Sequence, residues 1–147
     1  KGRATVEAST QAIPAGATGF TAMTGTGKMG SFISVKTSNE CWVRFYTTKA
    51  ARAADQGRTR EESPLPSSGV LLEIVSDGST TFQITPQLGY FNGEADPRDE
   101  IYLAVDNLSG IFQPTTVIAE LVPLEGQILA AITGAITSID GGSFGSG

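Results

Sequence analysis

The sequence predicts an all-β fold, an antiparallel β-sandwich of the jelly-roll type, with a short C-terminal helix and a flexible tail. Three observations predict it. Apolar and polar residues alternate in eight short segments, as in strands that bury one face. Turn-forming pairs such as Asp77-Gly78 and Ser109-Gly110 separate the segments, and the 147 residues include 18 glycines and 7 prolines. Only 17% of the residues are charged, whereas Thr and Ser, which strands accept, are abundant.

The eight predicted strands follow one another at fairly regular spacing along the chain. They cover residues 3–8, 19–23, 31–36, 41–47, 70–76, 80–85, 101–106 and 115–122. Because successive side chains of a strand point to opposite faces, each segment places its apolar residues on one side. Those predicted to share a face are Ala4, Val6 and Ala8; Ile33 and Val35; Cys41, Val43 and Phe45; Val70, Leu72 and Ile74; Phe82 and Ile84; Ile101, Leu103 and Val105; and Val117, Ala119 and Leu121.

The chain after residue 125 has a different pattern. Apolar residues recur there at spacings of three and four, which predicts a helix over residues 127–139 with one apolar stripe. The stripe consists of Ile128, Leu129, Ile132, Ile136 and Ile139. Glycines follow it, and residues 143–147 read as a flexible tail. We therefore divide the chain into a β-sandwich domain, 1–125, and an arm, 126–147. The stripe packs either on its own sandwich or on another subunit.

A long charged loop follows the predicted strand 41–47. It runs over residues 49–66, whereas hairpin loops usually have about two to five residues. Five of the ten basic residues of the chain lie between positions 44 and 60. A long loop of this kind on a β domain is typically presented to a partner. Within it, Asp55 lies three residues from both Arg52 and Arg58, so it could accept charge-assisted hydrogen bonds from both and stiffen the loop. Arg60 is the better candidate for an outward contact.

Trp42, Arg44 and Tyr46 share the second face of the strand 41–47. An aromatic, a guanidinium and an aromatic group in a row could stack against sugar rings or a protein partner. The alternative is that this face forms a second layer of the core, with Arg44 paired to a carboxylate such as Glu73.

The composition argues against several functional classes. The chain has no histidine, so a Ser-His-Asp or Cys-His triad and a His-containing zinc site are excluded. Cys41 is the single cysteine and reads as a buried apolar residue. The net charge of −5 argues against nucleic acid as a partner. The sequence contains no apolar run of about 20 residues, so no membrane span is predicted, and no signal peptide is visible.

Two further motifs contain residues that are typical of ligand sites. The turn Thr24-Gly25-Thr26-Gly27-Lys28 departs from a phosphate loop in its glycine spacing and in the Met that follows it. The acidic residues Glu94, Asp96, Asp99 and Glu100 lack the spacing of a calcium loop and read as a solvated loop. Paired carboxylates leave glycoside hydrolysis as a remote alternative. We expect no catalytic residue, metal or cofactor.

Six segments taken in order resemble small structural proteins of tailed bacteriophages and related prophages. They are Trp42-Val43-Arg44-Phe45-Tyr46, Arg52-x-x-Asp55-x-x-Arg58, Gly69-Val70-Leu71-Leu72-Glu73, Gly89-Tyr90-Phe91-Asn92, Ile101–Gly110 and Leu121–Glu125. Together they span residues 41–125. The resemblance implies a β-rich virion component of the tail, baseplate or fibre region, and it carries no catalytic residues.

The expected function is therefore that of a non-enzymatic virion protein, assembled in the host cytoplasm. It would contact other virion proteins and copies of itself through the loop 49–66 and the arm. A capsid decoration protein is the close alternative. A carbohydrate-binding module for host surface glycans is another, using Trp42, Arg44 and Tyr46 or the aromatic pair Tyr90 and Phe91.

Overall fold

Eight strands and one short helix make up residues 2–124, the part of the chain that this computed structural model describes. The elements are β1 (Ala4–Ser9), β2 (Thr18–Thr24), β3 (Met29–Thr37), β4 (Glu40–Tyr46), α1 (Lys49–Ala54), β5 (Val70–Asp77), β6 (Phe82–Phe91), β7 (Glu100–Asn107) and β8 (Thr116–Pro123). All eight predicted strands are present. The predicted helix over 127–139, the tail and the domain boundary after residue 125 lie outside the described residues.

The strands form two four-stranded sheets with the orders β1-β8-β3-β6, called sheet 1, and β2-β7-β4-β5, called sheet 2. Every pair of neighbours is antiparallel. The chain passes from one sheet to the other at each connection except that between β4 and β5. Eight antiparallel strands in these two orders are a jelly roll. The predicted fold class is confirmed.

The core lies between the two sheets. Phe32 of β3 packs against Phe45 and Tyr90, with ring centroids 5.0 and 4.8 Å apart. The predicted inward residues of β4, β7 and β8 all belong to this core, and Cys41 among them is completely buried. Each large apolar side chain buried in this way contributes roughly 1.5–3 kcal/mol to stability. The core therefore holds the two sheets face to face.

A β-bulge in β3 changes the predicted facing of that strand. The register shifts between Phe32 and Ser34 against both neighbouring strands. As a result Phe32 and Val35 both join the core, whereas simple alternation predicted Ile33 and Val35 on one face. An extra residue in a bulge interrupts the period of two, and the prediction was wrong here for that reason.

The connections lie at two opposite ends of the sandwich. The end with the β2–β3, β4–β5 and β6–β7 connections, where β1 begins and β8 finishes, is called the loop end. The other end, with the β1–β2, β3–β4, β5–β6 and β7–β8 connections, is called the cap end. At the cap end Ile13 and Gln113 form an isolated bridge between the first and last connections. No helix within residues 2–124 is long and apolar enough to span a membrane.

Candidate functional site

The long connection between β4 and β5, residues 47–69, folds over the outer face of sheet 2; we call it the clasp loop. It begins with α1, which was not predicted from the sequence. Thr48 is its N-cap, and its side chain accepts a hydrogen bond from the Ala51 amide at 2.9 Å. The signal was available, since a threonine precedes an alanine-rich run with Lys49 and Arg52, which are strong helix formers.

The two ends of the clasp loop are joined at its base. The Thr47 amide donates to the Gly69 carbonyl at 3.0 Å, and the Gly93 amide donates to the Thr47 carbonyl at 2.8 Å. Gly69 has a φ of +85°, and a Cβ at this position would lie 2.7 Å from the Ala51 Cβ. Only glycine fits this conformation and this approach of the helix. The base of the clasp loop is therefore closely packed.

Beneath the clasp loop lie Trp42, Arg44 and Tyr46, whose exposed fractions are 3%, 3% and 0%. They point away from Cys41, Val43 and Phe45, as the alternation predicted. Tyr46 packs with Tyr102 and Ala104 of β7, and with Ala51 of α1. This is the arrangement of the alternative, in which the face is a second layer of the core. With the clasp loop in place, the three side chains are out of reach of a sugar ring.

Arg44 pairs with Asp106 and not with Glu73, the carboxylate suggested from the sequence. Its Nη2 donates to Asp106 Oδ1 at 2.7 Å, and its guanidinium lies 3.8 Å from the centroid of the Trp42 ring. Glu73 is opposite Arg44 in the β4–β5 register, but its carboxylate accepts from Trp42 Nε1 at 3.0 Å and from Arg58 Nη1 at 3.2 Å. Glu73 therefore pairs with Trp42 and with the clasp loop, and Arg44 bonds across to β7.

Asp55 joins the clasp loop to sheet 2. Its carboxylate accepts from Tyr46 Oη at 2.6 Å and from Arg58 Nε and Nη2 at 2.8 and 2.9 Å. The two bonds from Arg58 form a bidentate, charge-assisted pair. The predicted second arginine does not take part, because Arg52 Nη1 donates instead to the carbonyls of Thr21 and Leu103, at 2.9 and 3.3 Å. One half of the predicted arrangement is thus present, and Arg52 anchors α1 separately.

The electrostatics keep these groups in fixed ionisation states. Burial alone would raise the pKa of Asp55, but hydrogen bonds from Arg58 and Tyr46 outweigh it, so the pKa lies below its ordinary value. The hydrogen bond to Asp55 raises the pKa of Arg58. Burial, followed by the hydrogen bond to Asp55, raises the pKa of Tyr46. Asp55 and Arg58 therefore stay charged at neutral pH, and Tyr46 stays protonated.

Arg58 is the centre of the network. Besides Asp55 and Glu73, it donates from Nη1 to the Glu62 carbonyl at 2.8 Å, and its guanidinium lies 5.5 Å from the centroid of the Trp42 ring. One side chain thus connects both halves of the clasp loop with β4 and β5. Its side chain is only 10% exposed. The arrangement stiffens the loop, and the charged groups of Asp55, Arg58 and Glu73 bond to one another and not to a ligand.

The outer surface of the clasp loop is where side chains reach solvent. Arg60 is exposed, as its proposed outward role requires, and Leu65 is 75% exposed. The other predicted contact residues, Ile128, Leu129, Ile132, Ile136 and Ile139, lie outside the described residues. A stiffened loop with a solvent-facing arginine is suited to contact with another protein, because arginine is enriched among the residues that carry interface binding energy.

The acidic segment between β6 and β7 lies beside α1 and serves local structure. Glu94 accepts from the Lys49 amide at 2.9 Å, Asp99 accepts from the Gly27 amide, and Arg98 forms an ion pair with Glu100 at 3.3 Å. Within residues 2–124, no three His, Cys, Asp or Glu side chains are grouped closely enough to hold a metal ion.

Comparison with protein-family models and with curated proteins gives no relative from which a function could be transferred. No protein-family model matches the chain. No curated protein matches it either.

Proposed function

We propose that this chain is a non-enzymatic structural subunit of a tailed-phage virion, located in the tail, baseplate or fibre region. The observation that carries the proposal is the jelly roll, with its two sheets β1-β8-β3-β6 and β2-β7-β4-β5. Viral capsid domains are among the proteins built on this architecture. The sequence resemblance over residues 41–125 points to the same class. The proposal assigns no catalytic residue, metal or cofactor.

The clasp loop supplies the first proposed contact surface. Three of its seven charged residues, Arg52, Asp55 and Arg58, hydrogen-bond to sheet 2, so the exposed side chains of the loop, including Arg60 and Leu65, are held in a defined arrangement. A surface that is already ordered loses little conformational entropy when it binds. In this proposal it contacts other virion proteins.

The arm, residues 126–147, supplies the second proposed contact. The Leu124 amide donates to the Met29 carbonyl at 3.0 Å, so the described part of the chain ends at the loop end, beside β3. The apolar stripe of the arm would bind a neighbouring subunit. Removal of residues 126–147 is then expected to leave a folded sandwich that no longer enters particles. If the shortened chain unfolds, the arm belongs to the core and this part of the proposal fails.

A capsid decoration protein remains the close alternative, because it would use the same contacts with different neighbours. Lectin domains also use the jelly roll, which keeps glycan binding as a second alternative. Of its five proposed aromatic and arginine residues, Trp42, Arg44, Tyr46 and Tyr90 are buried, and Phe91 is 51% exposed. This burial weighs against the glycan alternative, and a glycan array with the purified chain would test it.

Cryo-EM of purified particles tests the proposal directly. Density for the jelly roll in repeated copies along the tail or in the baseplate would support it. Copies tiled over the head would favour the decoration protein. Absence of the chain from particles would overturn both, and robust binding on the glycan array would then put the carbohydrate-binding alternative first.

A further inference from the structure

The second part of the clasp loop, residues 55–68, is held to sheet 2 by charged groups; we call this part the flap. None of its side chains belongs to either apolar cluster in the described part of the chain. Apart from two prolines, its only apolar side chain is Leu65, which is 75% exposed. Segments with few buried apolar contacts are those that open locally while the rest of a protein stays folded.

Two carboxylates join the flap to sheet 2. Asp55 of the flap accepts from Tyr46 Oη at 2.6 Å and from Arg58 Nε at 2.8 Å. Glu73 of β5 accepts from Arg58 Nη1 at 3.2 Å, and the Arg58 guanidinium lies 5.5 Å from the centroid of the Trp42 ring. The flap therefore stays over Trp42 as long as these carboxylates hold Arg58.

Helix α1, which precedes the flap, has anchors that acid does not change. Arg52 donates to the backbone carbonyls of Thr21 and Leu103. Ala51 packs against the apolar cluster that contains Tyr46. The two sheets are joined by their apolar core. Acid therefore weakens the attachment of the flap more than that of α1 or that of one sheet to the other.

The groups around this attachment leave Asp55 and Glu73 as its acid-sensitive parts, since the chain has no histidine. Asp55 faces Arg58 of the flap and Arg44 and Tyr46 of β4, and Arg58 faces Asp55 and Glu73. The neighbouring groups have partners of their own: Arg44 with Asp106 of β7, Arg52 with backbone carbonyls, Tyr102 with Asn92, and Glu62 with the Thr59 amide. Asp106 and Glu62 are also carboxylates, but neither joins the flap to sheet 2.

Protonation of Asp55 and Glu73 would leave the charge of Arg58 without a partner. The Arg58 side chain is 10% exposed, and an unpaired charge is costly to keep out of water. The pKa of Asp55 lies below its ordinary value in the closed form, because burial, which raises it, is outweighed by hydrogen bonds from Arg58 and Tyr46. Closure is therefore favoured above the ordinary carboxyl pKa and is lost as pH falls through the lowered value.

We propose that the flap is released by acid: at neutral pH it covers Trp42, and below about pH 4 it moves away from sheet 2 while α1 and both sheets stay folded. Trp42 and Glu73 then meet solvent, and Arg60 and Leu65 lose their defined positions. The release is a property of the chain itself and does not depend on the proposed function.

Hydrogen exchange followed by proton–nitrogen correlation NMR of the full chain tests the release. Trp42 is the single tryptophan, so its indole N–H, which donates to Glu73, gives one signal. The Ser68 amide reports on the flap, and the amides of Val43 and Val105, which are completely buried, report on the sandwich. Between about pH 6 and about pH 3, we expect the protection of the indole and of Ser68 to fall about tenfold, as one pKa unit of differential interaction gives. The protection of Val43 and Val105 should not change.

Two variants assign the effect to the carboxylates of the attachment. Asp55→Asn removes a carboxylate that accepts no bond from the indole, so any effect on the indole passes through the flap. We expect this variant to show about tenfold lower indole protection already at neutral pH. Asp77→Asn is the matched control, because the pKa of Asp77 is also lowered, to about 2, by hydrogen bonds within its own turn outside the flap. It should behave as wild type does.

Three results would overturn the proposal. Loss of protection at Val43 and Val105 together with the indole would mean that acid unfolds the whole sandwich. Unchanged indole and Ser68 protection down to about pH 3 would mean that the carboxylates do not hold the flap. Equal indole protection in Asp55→Asn and Asp77→Asn would mean the same. If Asp55→Asn does not fold, the wild-type titration still decides, because it compares the flap and the strands in one sample.

Discussion

Arg58→Ala is expected to destabilise the protein substantially, because Arg58 pairs both with Asp55 of the clasp loop and with Glu73 of sheet 2. The side chains of Arg58 and Asp55 are 10% and 8% exposed, so the pair counts as buried. Removing one partner of a buried pair costs about 3–5 kcal/mol. Asp55 keeps its bond from Tyr46, and the Glu73 side chain is 28% exposed. We therefore expect Arg58→Ala to lower the free energy of unfolding by about 2–4 kcal/mol, slightly less than a fully buried pair would lose.

Urea unfolding measures this loss with a built-in local probe. Trp42 is the single tryptophan and lies beneath the clasp loop, so its fluorescence reports on this face, while circular dichroism reports on the whole sandwich. Arg98→Ala is the matched control, because its ion pair with Glu100 has an arginine side chain that is 64% exposed. Exposed pairs contribute about 0–1 kcal/mol, so this variant should unfold nearly as wild type does.

A double-mutant cycle separates the pair from its surroundings. In the Asp55→Ala, Arg58→Ala double variant no uncompensated Asp55 carboxylate remains, so the two losses should not add. We expect a coupling free energy of about 1.5–3 kcal/mol, the value of hydrogen bonds between charged groups. A coupling below about 0.5 kcal/mol, within the additivity of independent sites, would refute the reasoning. So would an Arg58→Ala variant as stable as Arg98→Ala.

The remaining predictions concern pH, backbone and thiol chemistry. The pKa of Asp55 is depressed in the folded protein, so the ionised carboxylate contributes stability above the ordinary carboxyl pKa and loses it as pH falls through the pKa of the folded state. The difference in unfolding free energy between wild type and Asp55→Asn, measured by urea titration, should therefore shrink below about pH 4. Gly69→Ala should cost about 1–3 kcal/mol, more than Gly57→Ala, because both have positive φ but only Gly69 has Ala51 in the way; equal melting temperatures would contradict this. Cys41 is completely buried, and burial also raises the pKa of its thiol, so a thiol reagent should label it only when the protein unfolds; rapid labelling of native protein would contradict its placement.

Local patterns in the sequence were enough to predict where the strands lie and most of their faces. They failed at the bulge in β3 and at the start of β5, where a register shift puts Val70 on the outer face and Leu72 and Ile74 on the core. Alternation predicted that Cys41, Val43 and Phe45 face the core and that Trp42 faces away, because facing follows from the backbone alone. Strand order does not follow in this way, since it depends on contacts between residues far apart in sequence. The predicted strand ends at residue 85, directly before Pro86, whereas β6 continues to Phe91. In the structure β6 is an edge strand, with an irregular register between Gln83 and Leu88, where a proline is tolerated.

The candidate site shows the same division. The sequence predicted a charged loop with an Asp55–Arg58 pair, which is a local contact between residues three apart. The sequence did not predict that Tyr46 and Glu73 complete the network, or that Arg44 pairs with Asp106. Those partners come from strands that the fold brings together. The pair spacing alone could not show whether the charges face a partner or the protein's own sheet.

The clasp loop makes the two sheets of the sandwich unequal in how freely their sequences can diverge. Trp42, Tyr46 and Tyr102 lie on the outer face of sheet 2 and are buried there because the clasp loop covers them. A relative with a shortened loop would expose these aromatic rings to water. We therefore expect loop length and the residues at these three positions to change together in evolution, with polar side chains wherever the loop is lost.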